Sequence, residues 1–301
     1  MAKKILVTGG TGLVGNMLTK KLQDQGYEVS IMTRSPEKVK HLKAFYWDIK
    51  KQEIDEKCLD GIETIIHLAG ENIADGRWTD DRKKALVSSR TESIGLIYDL
   101  MKRKEHQVKT VLSASAVGFY GDRGEEILDE TSKPGTGFLA YCCEEWEKAV
   151  EQGTEMGLRV AKFRIGLLLT PKGGVLDIFK LMVKSFTATK LGSGEQWFPW
   201  IHSDDLIGMF LWAVENQDAK GVYNATAPNP VRNKEFTKTL SDVLHRPFWP
   251  LAIPKAMFKL LMGEKSELVL MSTHTKADKI IKAGYTFKFL SLKTALEDLT
   301  K

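Results

Sequence analysis

The run Lys4-Ile-Leu-Val-Thr-Gly-Gly-Thr-Gly-Leu-Val-Gly15 constrains the chain more than any other stretch, because an apolar segment breaks into glycines and passes directly into an apolar-periodic helix. That pattern predicts a strand, a tight turn and a helix. Gly9, Gly12 and Gly15 stand three apart. In such a turn the first glycine permits the bend, the second lets phosphates approach the backbone, and the third lets helix and strand pack closely. Thr11 and Leu13 lie between them, at the helix N-terminus, where free amides face an anion. An ordinary glycine-rich turn has the same composition; the distinguishing context is a βαβ unit of about thirty residues.

The next strand, Glu28-Val-Ser-Ile-Met-Thr33, ends where a dinucleotide site usually carries an acid for a ribose 2′-hydroxyl, but here Thr33-Arg34-Ser35 follows. A carboxylate would repel a 2′-phosphate, whereas a guanidinium pairs with it and stacks on adenine. The expected cofactor is therefore NADP(H). The other reading of Arg34 is a solvated charge, since Lys38, Lys40 and Lys43 follow on what would be a charged helix face.

Lys43–Asp48 reads as a short strand whose terminal Asp48 would neighbour the adenine ring, and Ile62–Gly70 as a buried strand ending in cofactor contacts at Leu68, Ala69 and Gly70. A helix from about Asp80 to Lys104 carries Arg90, which either turns back to the phosphates or is a surface charge. Val108–Ser115 is a strand that would place Ser115 beside the cofactor, followed by Ala116–Gly121 with Tyr120. A helix over Phe138–Gln152 and a strand over Leu158–Arg164 complete an alternation that predicts an α/β fold with a doubly wound parallel sheet.

From about Pro171 the regularity fails, and glycine pairs precede the cluster Trp197-Phe-Pro-Trp-Ile-His202, then Ser203-Asp204-Asp205 as a helix cap. This predicts a dinucleotide-binding domain over 1–170 and a smaller C-terminal lobe over 171–301, some of whose segments return to the sheet. His202 among three aromatics is a candidate substrate residue or a satisfied corner of the core. Later segments, Phe236–Leu244, Pro254–Met262 and Thr275–Ala283, read as short helices between proline breaks.

With 43% hydrophobic and 28% charged residues in 301, the chain suits a soluble globular fold. No signal peptide is visible and no apolar run is long enough to cross a bilayer. The net charge of +5 is mild, so neither nucleic acid nor a membrane is expected as a partner, though an anionic small ligand would be favoured. Cys58, Cys142 and Cys143 have neither zinc-ligand spacing nor a disulfide pattern, so no metal is expected and a reducing cytoplasm fits.

These residues make the chain resemble the extended short-chain dehydrogenase/reductase superfamily of NAD(P)-dependent sugar-nucleotide epimerases and dehydratases, whose dinucleotide domain is the Rossmann fold. It is most similar to the atypical "epimerase family protein" subgroup, through His67-Leu-Ala-Gly-Glu-Asn72, Arg77-Trp78, Ser89-Arg90, Ser113–Gly118, Gly192–Trp197, Trp200-Ile-His202 and Asn224–Pro228. Leu260–Glu264 and Ala283–Tyr285 resemble the subgroup's C-terminal domain of unknown function, so the likeness covers nearly the whole length. It implies NADP(H) held by Thr33, Arg34, Leu68, Ala69 and Arg90.

The superfamily pattern also needs a serine or threonine, a tyrosine, and a lysine four residues after the tyrosine. Ser115 matches the first; alignment on Trp146-Glu147 puts Leu139 and Cys143 at the other two. Shifting by two recruits Tyr141 but sets Glu145 in place of lysine, and it rotates the side chain about 200° around the helix. Two functions follow. One is an NADP(H)-dependent oxidoreductase or epimerase on a small or nucleotide-linked substrate, with Ser115 as positioning residue and Tyr120 or His202 as the acid/base. The other is an NADP(H)-binding sensor or scaffold without turnover. A third reading, a partner-binding surface on the C-terminal lobe, rests only on its apolar helices, which usually just cover a core.

Overall fold

Strands with unbroken apolar runs need cover on both faces, and the chain provides it with helices. The computed structural model describes residues 3–171 and 173–301. Its main sheet is built from β1 (Lys4–Thr8), β2 (Glu28–Thr33), β3 (Lys43–Asp48), β4 (Glu53–Ile54), β5 (Thr64–His67), β6 (Thr110–Ala116), β7 (Arg159–Ile165) and β8 (Gly221–Ala225). Their order is β8-β7-β6-β5-β1-β2-β3-β4, parallel except for β4. Of the helices, α1 (Leu13–Asp24) packs with α5 (Ser203–Glu215), and α2 (Asp80–Arg103) with α3 (Phe138–Glu155). Ile5, Leu6, Val7, Ile65, Ile66, Val111 and Leu112 between these layers are fully buried.

Beginning at β1, the chain runs outward to β2 and β3, then crosses to the other side of β1 for β5 to β8. The order reverses at β1 and β5, whose carboxyl ends therefore splay into a crevice, the usual ligand position in a doubly wound sheet. This is the α/β Rossmann architecture expected from the sequence.

A second apolar cluster gathers Leu176 and Phe179 of α4 (Val175–Lys184), Phe236 and Leu240 of α6 (Asn233–Val243), Trp200, and Leu292 and Leu296 of the terminal helix Leu292–Leu299. Residues 201–225 return to the first core through α5 and β8. The strand Trp249–Ile253 pairs with Thr189–Leu191 and leads into α7 (Lys255–Met262). Among the described residues no helix is long and apolar enough to cross a membrane, and no cluster of side chains has metal-binding geometry.

Candidate active site

A cleft of about 360 Å³ opens at the carboxyl ends of β1, β2, β3 and β5, lined by Gly9, Thr11, Thr33, Arg34, Asp48 and Ala69 among others, with Gly70 at its edge. The turn that forms it is forced by sterics. Gly9 has φ +68°, and a Cβ there would lie 2.7 Å from the Leu68 carbonyl oxygen; a Cβ on Gly15 would lie 2.2 Å from the Gly9 oxygen. Gly12 differs: its amide donates to Gly9 O at 3.0 Å, and a Cβ would touch only that oxygen, at 3.2 Å. Space is therefore held open beyond Gly12, and no side chain caps the start of α1. Gly12 and Gly15 shape the cleft from behind, Leu13 is 43% exposed and faces Gly173 and Gly174, and Leu68 packs on Gly9 through its backbone.

Arg34 is exposed at the cleft's edge, and among the described residues no acid pairs with it. Asp48 spends one oxygen on the amides of Lys50 and Lys51, at 3.0 and 3.3 Å, which closes the turn after β3. Arg90 is half-buried beside the cleft and not a solvated surface charge. Its guanidinium donates to the carbonyls of Leu86 (2.7 Å) and Glu71 (3.0 Å), lies against Gly70, and covers the Trp146 ring at 5.1 Å.

Beneath the cleft, Thr8 and His67 bolt β1, β5 and α2 together. The amides of Leu68 and Ala69 donate to Thr8 Oγ1 at 3.2 and 3.1 Å, so the hydroxyl gives its own proton to His67 Nδ1, 2.9 Å away. His67 Nε2 is then the protonated nitrogen and donates to Arg90 O at 3.3 Å. Complete burial takes the imidazole's pKa down to about 4, so it is neutral at physiological pH.

The three candidate catalytic side chains do not meet at a reacting position. Ser115 is 2% exposed and donates to Glu147 Oε1 at 2.7 Å. Glu147 is held by Arg164 through Nε to Oε1 (2.8 Å) and Nη2 to Oε2 (2.9 Å). Arg164 Nη1 donates to Tyr120 Oη at 3.0 Å, and Tyr120 donates to Asn224 Oδ1 at 2.6 Å. Tyr120 is fully buried, and burial pushes its phenol up to about 12, which corrects its assignment as an acid/base. The sequence does carry a signal for this network: Arg164 sits in a strand buried on both faces, where a charge needs a partner.

His202 is likewise corrected. It is 1% exposed, and rather than Ser203 it caps α5, Nδ1 accepting from the Asp204 amide at 3.0 Å. Its ring stacks on Phe289 at 3.8 Å, and Nε2 lies 3.5 Å from Asp298 Oδ2. Burial lowers its pKa despite the neighbouring Asp204 and Asp298. None of these residues lines the cleft.

Next to the cleft, across Arg90, lies a second pocket of about 200 Å³. Leu139, Cys143 and Trp146 of α3 form one wall; Trp197, Phe198 and Met271 form another, and Arg90 is the single charged residue in its lining. Leu139 and Cys143, one helical turn apart, both reach Gly118, whereas Tyr141 points outward and is 55% exposed. Burial pushes the Cys143 thiol up to about 12.

The sequence profile of the NAD-dependent epimerase/dehydratase family matches residues 5–226, and that of a domain of unknown function, DUF1731, matches residues 253–299. An epimerase family protein of Staphylococcus aureus strain N315 is 35% identical over 300 residues, 99% of each chain, and one from Staphylococcus epidermidis is 33% identical with the same coverage. Among solved structures, human epimerase family protein SDR39U1 (isoform 2), determined with NADPH, superposes with a TM-score of 0.87 at 27% identity over 98% of both chains. A nucleoside-diphosphate sugar epimerase of Corynebacterium glutamicum gives a TM-score of 0.79 at 34% identity, over 98% of this chain and 57% of that one. A glycine-turn cleft at the sheet's switch point, a family profile over most of the chain and end-to-end relatives agree: the chain belongs to the NAD-dependent epimerase/dehydratase family.

Proposed function

We propose that this protein binds NADP(H) in the glycine-lined cleft and is an epimerase-like oxidoreductase acting on a small, largely apolar carbonyl compound, without a tyrosine–lysine pair. The observation that carries the cofactor reading is Arg34: a guanidinium with no acidic partner among the described residues, at the end of β2, where a carboxylate would exclude a 2′-phosphate. The open space beyond Gly12 suits a pyrophosphate and fits the same group. The NADPH found with the human relative agrees with this reading.

A nicotinamide cofactor bound here would supply or accept a hydride. The chain's own contribution is steric and electrostatic. Arg90 separates cleft from pocket with its charge fixed by two carbonyls, and the pocket's other walls are largely apolar. A sugar diphosphate would leave hydroxyls unpaired and its charge opposed by Arg90 alone, which favours an apolar substrate. The Leu139 side chain carries no proton to give, and the Cys143 thiol is too weak an acid at neutral pH.

The second reading, binding without turnover, is favoured by Ser115, whose hydroxyl proton is committed to Glu147 and not offered to the pocket. Calorimetry with NADPH and NADH tests the cofactor reading. NADPH is expected to bind more tightly by roughly tenfold to a hundredfold, as one charge-assisted pair contributes about 1.5 to 3 kcal/mol, and Arg34→Ala should remove most of the difference. Equal affinities in the unmutated protein would refute it. Nicotinamide absorbance followed with product mass, over a panel of apolar carbonyl compounds and sugar nucleotides, separates the oxidoreductase from the binder.

A further inference from the structure

Eight of the thirteen large hydrophobic side chains exposed among the described residues fall in two short segments, 175–190 and 245–262. They are Ile178, Leu181 and Phe186 in and after α4, Trp249 and Leu251 on the edge strand, and Met257, Leu260 and Leu261 on α7. The segments are joined in space: Thr189–Leu191 pairs with Trp249–Ile253, Trp249 Nε1 donates to the Phe186 carbonyl at 2.9 Å, and the Arg246 guanidinium covers the Phe186 ring at 5.2 Å.

Helix α7 has no fully buried residue. Phe258 turns toward the second apolar cluster, while Met257, Leu260 and Leu261, spaced i, i+3 and i+4, form an outward stripe beside Lys255 and Lys259. Leu260 is 85% exposed, and Leu251 and Leu261 are each 71% exposed. Side chains so exposed project from the surface instead of lining a groove.

The same two segments are rich in basic residues. The two segments contain Lys180, Lys184, Lys190, Arg246, Lys255 and Lys259 against Asp177 alone, a balance of six to one. Removing these from the chain's 44 basic and 39 acidic residues leaves 38 of each. Of these cations, Lys184, Arg246, Lys255 and Lys259 are exposed in the same segments as the leucines, the tryptophan and the phenylalanine, whereas Lys180 donates to the Leu299 carbonyl at 2.8 Å.

We propose that this face, α4, the strand Trp249–Ile253 and α7, docks the protein peripherally on an anionic lipid bilayer. Aliphatic side chains would enter the acyl boundary, Trp249 would sit at headgroup level, and the lysines would lay their stems along the apolar surface with their ammonium groups at the lipid phosphates. A second copy of the chain would set the exposed Lys184, Arg246, Lys255 and Lys259 against the same cations, which disfavours self-association. The contact is superficial, so it needs no spanning helix.

The test is co-sedimentation of the 301-residue protein with vesicles of phosphatidylcholine alone or with phosphatidylglycerol, at low and high salt. Binding is expected only with phosphatidylglycerol and should weaken with salt. The double variant L260E/L261E should lose binding at least tenfold, and K255Q/K259Q about fivefold per lysine, the weight of roughly 1 kcal/mol for each cation near the surface. Both variants should keep the unmutated melting temperature, since the altered side chains are exposed. No binding to phosphatidylglycerol vesicles at low salt overturns the proposal. So does binding that L260E/L261E leaves intact, or a dimer in sedimentation velocity that this variant dissociates.

Discussion

The two cavities on either side of Arg90 are built from different materials. The cleft at the ends of β1, β2, β3 and β5 is organised by a turn whose backbone leaves no room for a Cβ at Gly9 or Gly15, beside an uncapped helix start and polar strand-end side chains such as Thr33, Arg34 and Asp48. The neighbouring pocket is made of side chains from α3 and the C-terminal third, and beside it runs the buried chain Ser115, Glu147, Arg164, Tyr120, Asn224. Backbone geometry tolerates few substitutions, so the cleft keeps its chemistry. Side-chain walls change with single residues, which lets a family retain a cofactor while altering or losing a reaction.

The largest expected effect separates the two directly. Gly12→Val places its side chain in the space beyond the turn and should abolish NADPH binding in calorimetry, while the melting temperature moves only a few degrees, because the added Cβ meets nothing but Gly9 O at 3.2 Å. Retained binding would show that the turn is merely structural. Arg164→Met should do the reverse. It leaves Glu147 buried without its partner and should destabilise by about 3–5 kcal/mol in urea denaturation, while the protein that remains folded binds NADPH as before.

Acid should weaken the cleft's foundation. His67 titrates at about 4 in the fold against an ordinary 6.5, so between those values the unfolded chain takes up a proton that the folded protein refuses. Stability should therefore fall as pH drops from about 6.5 towards 4, by roughly 3 kcal/mol from this residue. His67→Gln should flatten that part of a pH-dependent denaturation series; an unchanged slope would assign it to other groups. The smallest effect is expected at Tyr141, which points away from both cavities. Tyr141→Phe should leave any NADPH-dependent turnover within twofold, and a loss of a hundredfold would restore it as an acid/base.

How far the sequence revealed this molecule follows the same division. Lys4–Gly15 specifies its strand, turn and helix locally, so the sheet's alternation and the positions of Gly9, Thr33, Arg34 and Ala69 could be read from neighbours in the chain. Ser115 and Tyr120 could not, because what decides their role is far away in sequence: Glu147 lies 32 residues beyond Ser115, and Asn224 lies 104 beyond Tyr120. A hydroxyl at the end of a strand looks the same whether its proton is free or committed. For His202 the pattern of aromatics was visible, but its service as the cap of α5 depends on a backbone turn that no composition announces. Arg90 was seen as a charge in the right region, and only packing shows that it forms the wall between two cavities.

The cap region has one further consequence, in the order of events at the ribosome. Asp205, 1% exposed at the start of α5, accepts from Tyr285 Oη at 3.1 Å and from the amides of Lys288 and Phe289 at 2.7 and 3.0 Å. Helix α5 packs on α1 against the first-made strands, yet its buried carboxylate takes these partners from 80 to 84 residues further along the chain. Those bonds can form only after residue 289 has left the exit tunnel, so the seating of α5 at its buried end is completed by a segment made much later than the strands it covers.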